Sequence, residues 1–485
     1  MKKLETKLLS AFVIIAMLMC GNAKADNVDI QTAKQIGAYY FSVATGAKAP
    51  INAEQLDLAV QFDNPTLCIP AIYAFNVKGN GFVVVSASNC VDPVLAYSPE
   101  GSIDPENINP ACQYMLNSYA RLVSDNQNNN ATPTANVRSR WHELEARTFT
   151  CELDSKGVLV QAKWDQGEID HPSYNIMCPE INGKHCYVGC VATAMAMIMH
   201  YWRYPEVGGG PGGNMVSCSW HSKTIKYKFT LDTNKFIYDS MPNQISPSSP
   251  WNNKRAVGKL GFAAGVAVEM DWGLDGSGAQ SIKVPEAYKN WFKYSSDADY
   301  KNRDGISDAT WVALLRSEIV DNARPVYYSA FDPTGTGRDA AGHAFVIAGA
   351  SSADPNKFYI NWGWNGSSNG FFTLAPASSI GTAGGYRFSS GHAMVYNIHP
   401  KTEGIEDNTV FSTTTAYPNP ATDYIMIPVD LPLNAVLSVY SIDGKMVDNI
   451  VVPAGTQEYR LDLQNYPTGT YLYRINGAAV KFTVE

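Results

Sequence analysis

The sequence predicts an α+β protein with a small all-β tail, and three patterns carry that expectation. In the middle of the chain helical segments come first and strands afterwards, the order of an α+β domain. Near the N-terminus two strands joined by a glycine-bearing turn lie between helical stretches. From Ala416 onward, short alternating strands separated by turns describe a small β-sandwich. At 485 residues the chain exceeds one ordinary domain, and no internal repeat relates the three regions.

Taken in order, Lys2, Lys3 and Lys7 precede an apolar run over 8–20, and Ala23-Lys24-Ala25 supplies the small residues a signal peptidase needs. Residues 1–25 read as a signal peptide, with Asp26 first after cleavage. The run is too short to span a bilayer, so no transmembrane segment is expected in the mature chain. Cys20 raises a lipoprotein alternative, but Met17-Leu18-Met19 lacks the small residues of a lipobox.

Residues 26–148 form one α+β unit: helical spacing over 30–45, strands over 72–77 and 82–86 around Lys78-Gly79-Asn80-Gly81, and a helix over 111–123. The polar run 125–134 reads as an exposed loop or linker. The central unit, 149–400, starts strand-like over 157–162 and continues through Trp164-Asp165-Gln166 into a helix opening at Cys190. The glycine-rich break over 208–213 lacks the Gly-Lys-Ser/Thr ending of a phosphate loop. Helices follow over 256–268 and 308–322, and strands over 324–329, 344–350, 358–362 and 370–374. A polar linker, 401–415, precedes the sandwich of 416–485, with strands over 424–429, 436–441, 459–463, 469–475 and 480–484.

Apolar residues make up 45% and charged residues 17%, with a net charge of −8. That balance suits a globular chain and carries no basic footprint, which excludes nucleic acid as a partner. The cysteines after Cys20 are Cys68, Cys90, Cys112, Cys151, Cys178, Cys186, Cys190 and Cys218. They show no paired Cys-x-x-Cys spacing, and there is no His-Glu-x-x-His, so neither a metal nor a cofactor is expected. An exported chain can oxidise its thiols, yet the count leaves the pairing open. If Cys190 stays free, a further thiol is left over; Cys178 with Cys186 or Cys218 would staple the region beside it.

Cys190 opens a long uncharged helical run behind Val188-Gly189. A thiol in the first turn of a helix meets unpaired backbone N–H groups and the positive end of the macrodipole, which favour the nucleophilic thiolate. Buried structural cysteine is the competing reading, and Cys186, in the approach loop, is the weaker nucleophile candidate. His343 leads an apolar strand in Gly342-His343-Ala344-Phe345, and Gly391-His392-Ala393 repeats the pattern as a decoy. His343 is favoured because Asn361-Trp362 follows it at a hairpin's distance. Asn361 would accept the ring N–H and fix the tautomer, while Trp362 and Trp364 shield that bond; ordinary core packing is the alternative for both tryptophans. Gln166 is the natural oxyanion donor, since its amide can point at developing charge.

Cysteine, histidine, then asparagine with tryptophan is the chain order of papain-like thiol proteases, and the wider set of motifs resembles the streptopain-like (interpain-like) cysteine peptidases. The resemblance rests on Trp164-Asp165-Gln166, Ser173-Tyr174-Asn175, Gly189-Cys190-Val191-Ala192-Thr193-Ala194, Tyr201-Trp202-Arg203-Tyr204-Pro205, Met270-Asp271-Trp272-Gly273 with Gly276-Ser277-Gly278, Gly342-His343-Ala344, and Asn361-Trp362-Gly363-Trp364. It implies a papain-like peptidase domain in which Cys190 is the nucleophile, His343 the base, Gln166 an oxyanion donor and Trp362 a support for the histidine. Ser277 and Gly278 would border a cleft that takes apolar side chains, with Gly342 and Trp364 beside it.

The N-terminal unit resembles that family's inhibitory propeptide through Tyr73-Ala74-Phe75-Asn76 and Gly81-Phe82-Val83-Val84-Val85-Ser86. A zymogen is implied, cut near 140–155, where Arg138, Arg140, Arg147 and Lys156 offer sites. The tail resembles type IX sorting domains through Ala416-Tyr417-Pro418-Asn419-Pro420 and Pro467-Thr468-Gly469-Thr470-Tyr471. Together these imply a secreted or surface cysteine endopeptidase, exported through the periplasm of a Gram-negative bacterium. Its partners would be protein or peptide substrates, its own propeptide as intramolecular inhibitor, and the type IX secretion machinery. The rival readings are a catalytically silent surface binding protein on the same fold, or a thiol-dependent acyltransferase or amidase.

Overall fold

The computed structural model describes residues 26–151, 157–168, 172–207, 215–220, 223–228, 235–330, 342–376, 391–401, 416–429, 431, 434–442, 446–475 and 478–485. The signal segment, the 208–213 break, Lys156 and nearly all of the 401–415 linker lie outside them. The chain divides into two compact units. One comprises Met1–Leu153, Ser352–Lys357 and Gly370–Phe388; the other comprises Asp154–Ser351, Phe358–Asn369 and Ser389–Glu485.

In the first unit, α1 (Ile30–Ala44) starts where the Asp29 carboxylate accepts from the N–H groups of Gln31 and Thr32 at 2.8 and 3.0 Å. It buries Ala33, Ile36, Ala38, Tyr40 and Phe41. Strands β1 (Leu56–Asn64), β2 (Ile69–Val77), β3 (Phe82–Ser86) and β4 (Val94–Ser98) pair antiparallel in that order. The strand Gly370–Thr373 continues beyond β4, with Phe371 opposite Tyr97. The β2–β3 turn needs glycine at 81, where φ is +104° and a Cβ would lie 2.5 Å from the Ser98 carbonyl oxygen.

The polar run 125–134 expected as a loop is helical over its first four residues and a turn with irregular chain over the rest. Helix α2 (Pro110–Asn128) extends into it, and α3 (Ala135–Glu145) follows, capped by Thr134. Asn126 and Gln127 are buried because their amides find partners. Asn126 Nδ2 donates to Leu122 O at 2.9 Å, Gln127 Nε2 donates to Pro70 O at 2.8 Å, and Gln127 Oε1 accepts from Asn64 Nδ2 at 3.1 Å. A short ionic chain also lies in this unit. Arg140 meets Asp92 at 2.7 Å and Asp354 at 3.5 Å, and Asp354 meets Lys357 at 2.6 Å. Burial alone would push the Asp354 carboxyl up, yet the Lys357 ammonium and Arg140 guanidinium hold it below the ordinary range.

In the second unit α4 (Cys190–Trp202), α5 (Trp251–Ala267) and α6 (Asp308–Arg316) accompany antiparallel strands β5 (Asp299–Asn302), β6 (Val326–Ala330), β7 (His343–Ala350), β8 (Lys357–Asn361) and β9 (His392–Tyr396), in the order β8-β7-β6-β9-β5. The helix expected over 308–322 stops at Arg316 and passes into a π turn, Ser317–Asp321. Residues 157–162 are not a strand; Leu159 N donates to Ala348 O at 2.7 Å without a continuing ladder.

The tail forms a sandwich. Its strands are β10 (Tyr424–Pro428), β11 (Ala435–Ser441), β12 (Met446–Val452), β13 (Glu458–Asp462), β14 (Gly469–Ile475) and β15 (Ala478–Val484). β10 pairs with β13, and the others run in the order β12-β11-β14-β15 around Ile425, Ile427, Leu437, Val439, Leu461, Tyr473 and Phe482. Sequence reading missed β12 because Asp448-Asn449 breaks its alternation; Asn449 is buried, with Oδ1 accepting from Ser438 Oγ at 2.9 Å. Among the described residues no helix is long and apolar enough to cross a membrane.

Candidate active site

Helix α4 begins at Cys190 behind Gly189, whose φ is +84°. A Cβ at Gly189 would lie 2.8 Å from both Met270 Cε and the Ser277 carbonyl oxygen, so only glycine fits. Gly189 O accepts from Thr193 N and Thr193 Oγ1, each at 3.0 Å, which fixes the first turn. Cys190, a partly exposed residue, is therefore held at a fixed helix start.

Burial pushes the Cys190 thiol above its ordinary value, while the backbone N–H groups of Ala344, Val191 and Cys190 itself pull it back. Helix α4 packs against β7, the strand that His343 opens, and a Cβ at Gly363 would lie 3.3 Å from Thr193 Cγ2 in the first turn of α4. Burial lowers the His343 imidazole. Desolvation thus favours the uncharged thiol and imidazole, and the three N–H groups oppose it on the thiol side.

Gln166 is tied to the same place, because its carbonyl accepts from Val188 N at 2.9 Å just ahead of the cysteine. The Trp364 ring meets His343 edge-on at 5.7 Å and 70°. Trp362 is fully buried, donates Nε1–H to Ser368 O at 2.9 Å and packs on Phe345 at 4.9 Å. Asn361 is spent elsewhere: Nδ2 donates to Ala162 O at 2.7 Å and Oδ1 accepts from Gly363 N at 3.3 Å. Its amide serves the backbone around Trp362 and not the His343 ring.

The two Gly-His-Ala repeats end at the same level of the sheet, His343 and His392 both lying opposite Ala330 on flanking strands. Burial separates them. His392 is wholly enclosed, its Nδ1 is 2.8 Å from the Tyr328 hydroxyl, and burial holds its pKa well below the ordinary range, with Arg303 adding to the effect. His343 stays partly accessible.

Ser277 is nearly buried, with Oγ accepting from Gly273 N at 3.1 Å, and its carbonyl oxygen faces the side of Gly189 where a Cβ would stand. Gly278 exchanges backbone hydrogen bonds with Asp271 at 2.9 and 3.0 Å and faces open space. Gly342 is exposed. Among the described residues no cluster of histidine, cysteine and carboxylates could hold a metal ion. Sequence reasoning passed over Asp165, whose Oδ1 accepts from Gly167 N at 2.7 Å and whose carboxyl is pushed up to about 6 by burial.

Comparison with known proteins bears directly on this geometry. Residues 164–372 match the Peptidase C10 family. These residues belong to that family. Residues 25–123 match the Spi protease inhibitor family, and residues 415–484 match the secretion system C-terminal sorting domain. Streptopain of Streptococcus pyogenes is 29% identical over 433 residues, covering 82% of this chain and 99% of its own. The thiol protease/hemagglutinin PrtT of Porphyromonas gingivalis is 26% identical over 470 residues, covering 94% of this chain and 51% of its own. A fragment of prointerpain A from Prevotella intermedia shares the fold, with a TM-score of 0.55 at 23% identity over 72% of this chain and 99% of that one. The protein is a cysteine peptidase whose C10-matching region has an inhibitor-type domain ahead of it and a sorting tail behind it.

Proposed function

We propose that this C10 peptidase is a secreted endopeptidase made as a zymogen, with Cys190 as nucleophile, His343 as proton carrier and Gln166 as oxyanion donor. The observation that supports the reading is the packing of α4, which Cys190 opens, against β7, which His343 opens, with the Gly363-Trp364 segment lying between the Thr193 turn and the His343 ring. His343 takes the thiol proton as sulfur bonds to the substrate carbonyl carbon, then delivers it to the amine as the C–N bond breaks. Water, deprotonated by the same imidazole, cleaves the thioester. The Gln166 amide and the Cys190 N–H would hold the oxyanion. Trp362, packed on Phe345, keeps the start of β7 in place, and Asn361 steadies Trp362. Ser277, Gly278, Gly342 and Trp364 would line the substrate path.

Domain limits of 1–25, 26–148, 149–400 and 416–485 belong to the proposal. The inhibitor-type domain would keep the precursor latent, and the tail would hand the protein to type IX machinery after periplasmic transit in a Gram-negative cell. Hydrolysis of an unmodified protein and of a blocked peptide by the matured enzyme, lost in Cys190→Ala, tests the reading. Transfer to an added amine without hydrolysis would favour an acyltransferase. Failure of a thiol-reactive peptide analogue to label Cys190 would favour a silent binding protein.

A further inference from the structure

We infer that Asp165 is a positioning residue that aims the Gln166 amide at the oxyanion, an inference that rests on the reading of Gln166 given above. Gln166 sits at the crest of a turn, and the direction of its side chain is set by the backbone on either side. Upstream, Trp164 is anchored twice: its carbonyl accepts from Asn365 N at 3.2 Å and its indole donates to Pro242 O at 2.9 Å. At the crest, the Gln166 carbonyl is held by Val188 N. Downstream, Gly167 has φ +87° and lies so close to Asn175 that a Cβ would come within 2.2 Å of Oδ1.

Between these anchors the Asp165 carboxylate reaches over Gln166 to the Gly167 N–H at 2.7 Å, closing an Asx turn around that one residue. The carboxyl is pushed up to about 6, so it is ionised at neutral pH and the bond is charge-assisted. The bond does no work for the apolar core. A carboxylate is costly to bury among Trp164, Tyr174, Val188 and Val257, and what it secures is the attitude of the oxyanion donor. Because the donor must sit within about 0.5 Å of its working place, loss of the turn is expected to slow the chemical step without loosening substrate.

The test uses matured enzyme from the full chain carrying Asp165→Ala, Asp165→Glu, Asp165→Asn or Gln166→Ala. It reads kcat, KM, affinity for a peptide aldehyde, and the rate of Cys190 alkylation by iodoacetamide. The aldehyde adduct needs the oxyanion site; alkylation does not. Asp165→Ala and Asp165→Glu should lower kcat and aldehyde affinity together by about 10- to 100-fold, with KM and alkylation close to wild type. Asp165→Asn keeps an acceptor at the same atom and should recover most of the loss. Normal kcat in Asp165→Glu and Asp165→Ala beside a collapsed Gln166→Ala overturns the inference and leaves Gln166 standing. Equal slowing of alkylation also overturns it, since the substitution would then disturb the nucleophile itself. Unchanged kcat and aldehyde affinity in Gln166→Ala overturn the underlying reading instead.

Discussion

Val188 donates its backbone N–H to the carbonyl of Gln166 at 2.9 Å. That single bond joins the Trp164-Asp165-Gln166 loop to the segment that leads into α4. The two contributions proposed for catalysis, from Gln166 and from Cys190, would therefore share one backbone frame, and β7 packs against the same helix.

Cys190→Ala should lower peptide hydrolysis by several orders of magnitude, as expected for a nucleophile acting as a unit with its base, while the fold survives. Cys186→Ala should leave turnover intact. Cys186 is buried and its thiol is pushed up to about 11, so it is not a thiolate at neutral pH. Peptide mapping after thiol labelling, beside initial rates, decides between them; activity in Cys190→Ala would move the nucleophile elsewhere.

His343→Ala should cost at least about 10²- to 10⁴-fold in kcat, the range of a lost acid–base group. His392→Ala should instead lower stability by about 1–3 kcal/mol, because it strips the buried Tyr328 hydroxyl of a partner, with kcat/KM near wild type. Denaturant midpoints and initial rates on both variants make the comparison, and a collapse of turnover confined to the His392 variant would reverse the assignment.

Maturation should cut after α3. Arg140 is committed to Asp92 and Asp354, and Arg138 donates to Pro133 O from within the helix. Arg147 lies beyond the helix end and is exposed. N-terminal sequencing of the matured protein should find its start at or beyond Thr148, and a start at Ser139 or Trp141 would refute this. Cys190→Ala accumulates as uncut precursor if the enzyme cuts itself, and matures normally if another protease acts.

Acid should destabilise the protein through His200. Burial lowers this imidazole from 6.5 to about 4; its Nε2 lies 2.9 Å from Met241 O and its ring packs on Trp164. The unfolded chain takes the proton near pH 6.5 while the folded chain resists it until about 4. This contribution is whole above pH 6.5 and falls away by about 3 kcal/mol as pH drops to 4. Urea midpoints measured across that window for wild type and His200→Gln should converge toward acid; parallel curves would rule out His200 as the source.

Local pattern accounts for what could be read from the sequence. Cys190 at a helix start, His343 at a strand start, and the β2–β3 hairpin each declare themselves within a dozen residues of periodicity and turn chemistry. What escaped depends on distant partners. Asn126 and Gln127 read as solvated loop because their hydrogen bonds to Leu122, Asn64 and Pro70 appear only after folding. His343 and His392 carry the same local motif and even the same register against Ala330, and enclosure alone tells them apart. Asn361 looked like an orienter by adjacency to Trp362, yet Ala162, far off in sequence, claims its amide.

If Cys190 is the nucleophile as proposed, the tight space between Gly189 and Met270 with Ser277 constrains how the enzyme selects among substrates. Around Gly189, just ahead of Cys190, the 270–278 loop leaves no room even for a Cβ, and Tyr187 N to Gly273 O at 3.2 Å ties the same two segments. On the proposed mechanism, Cys190 and a cleft wall at 270–278 would then act as one frame, with no separate closure of that wall to discriminate substrates. A preformed wall of this kind sorts substrates on arrival, by shape against the open face at Gly278. Preference among peptides should then appear in binding and be altered by a side chain at 278, leaving the bond-breaking step untouched.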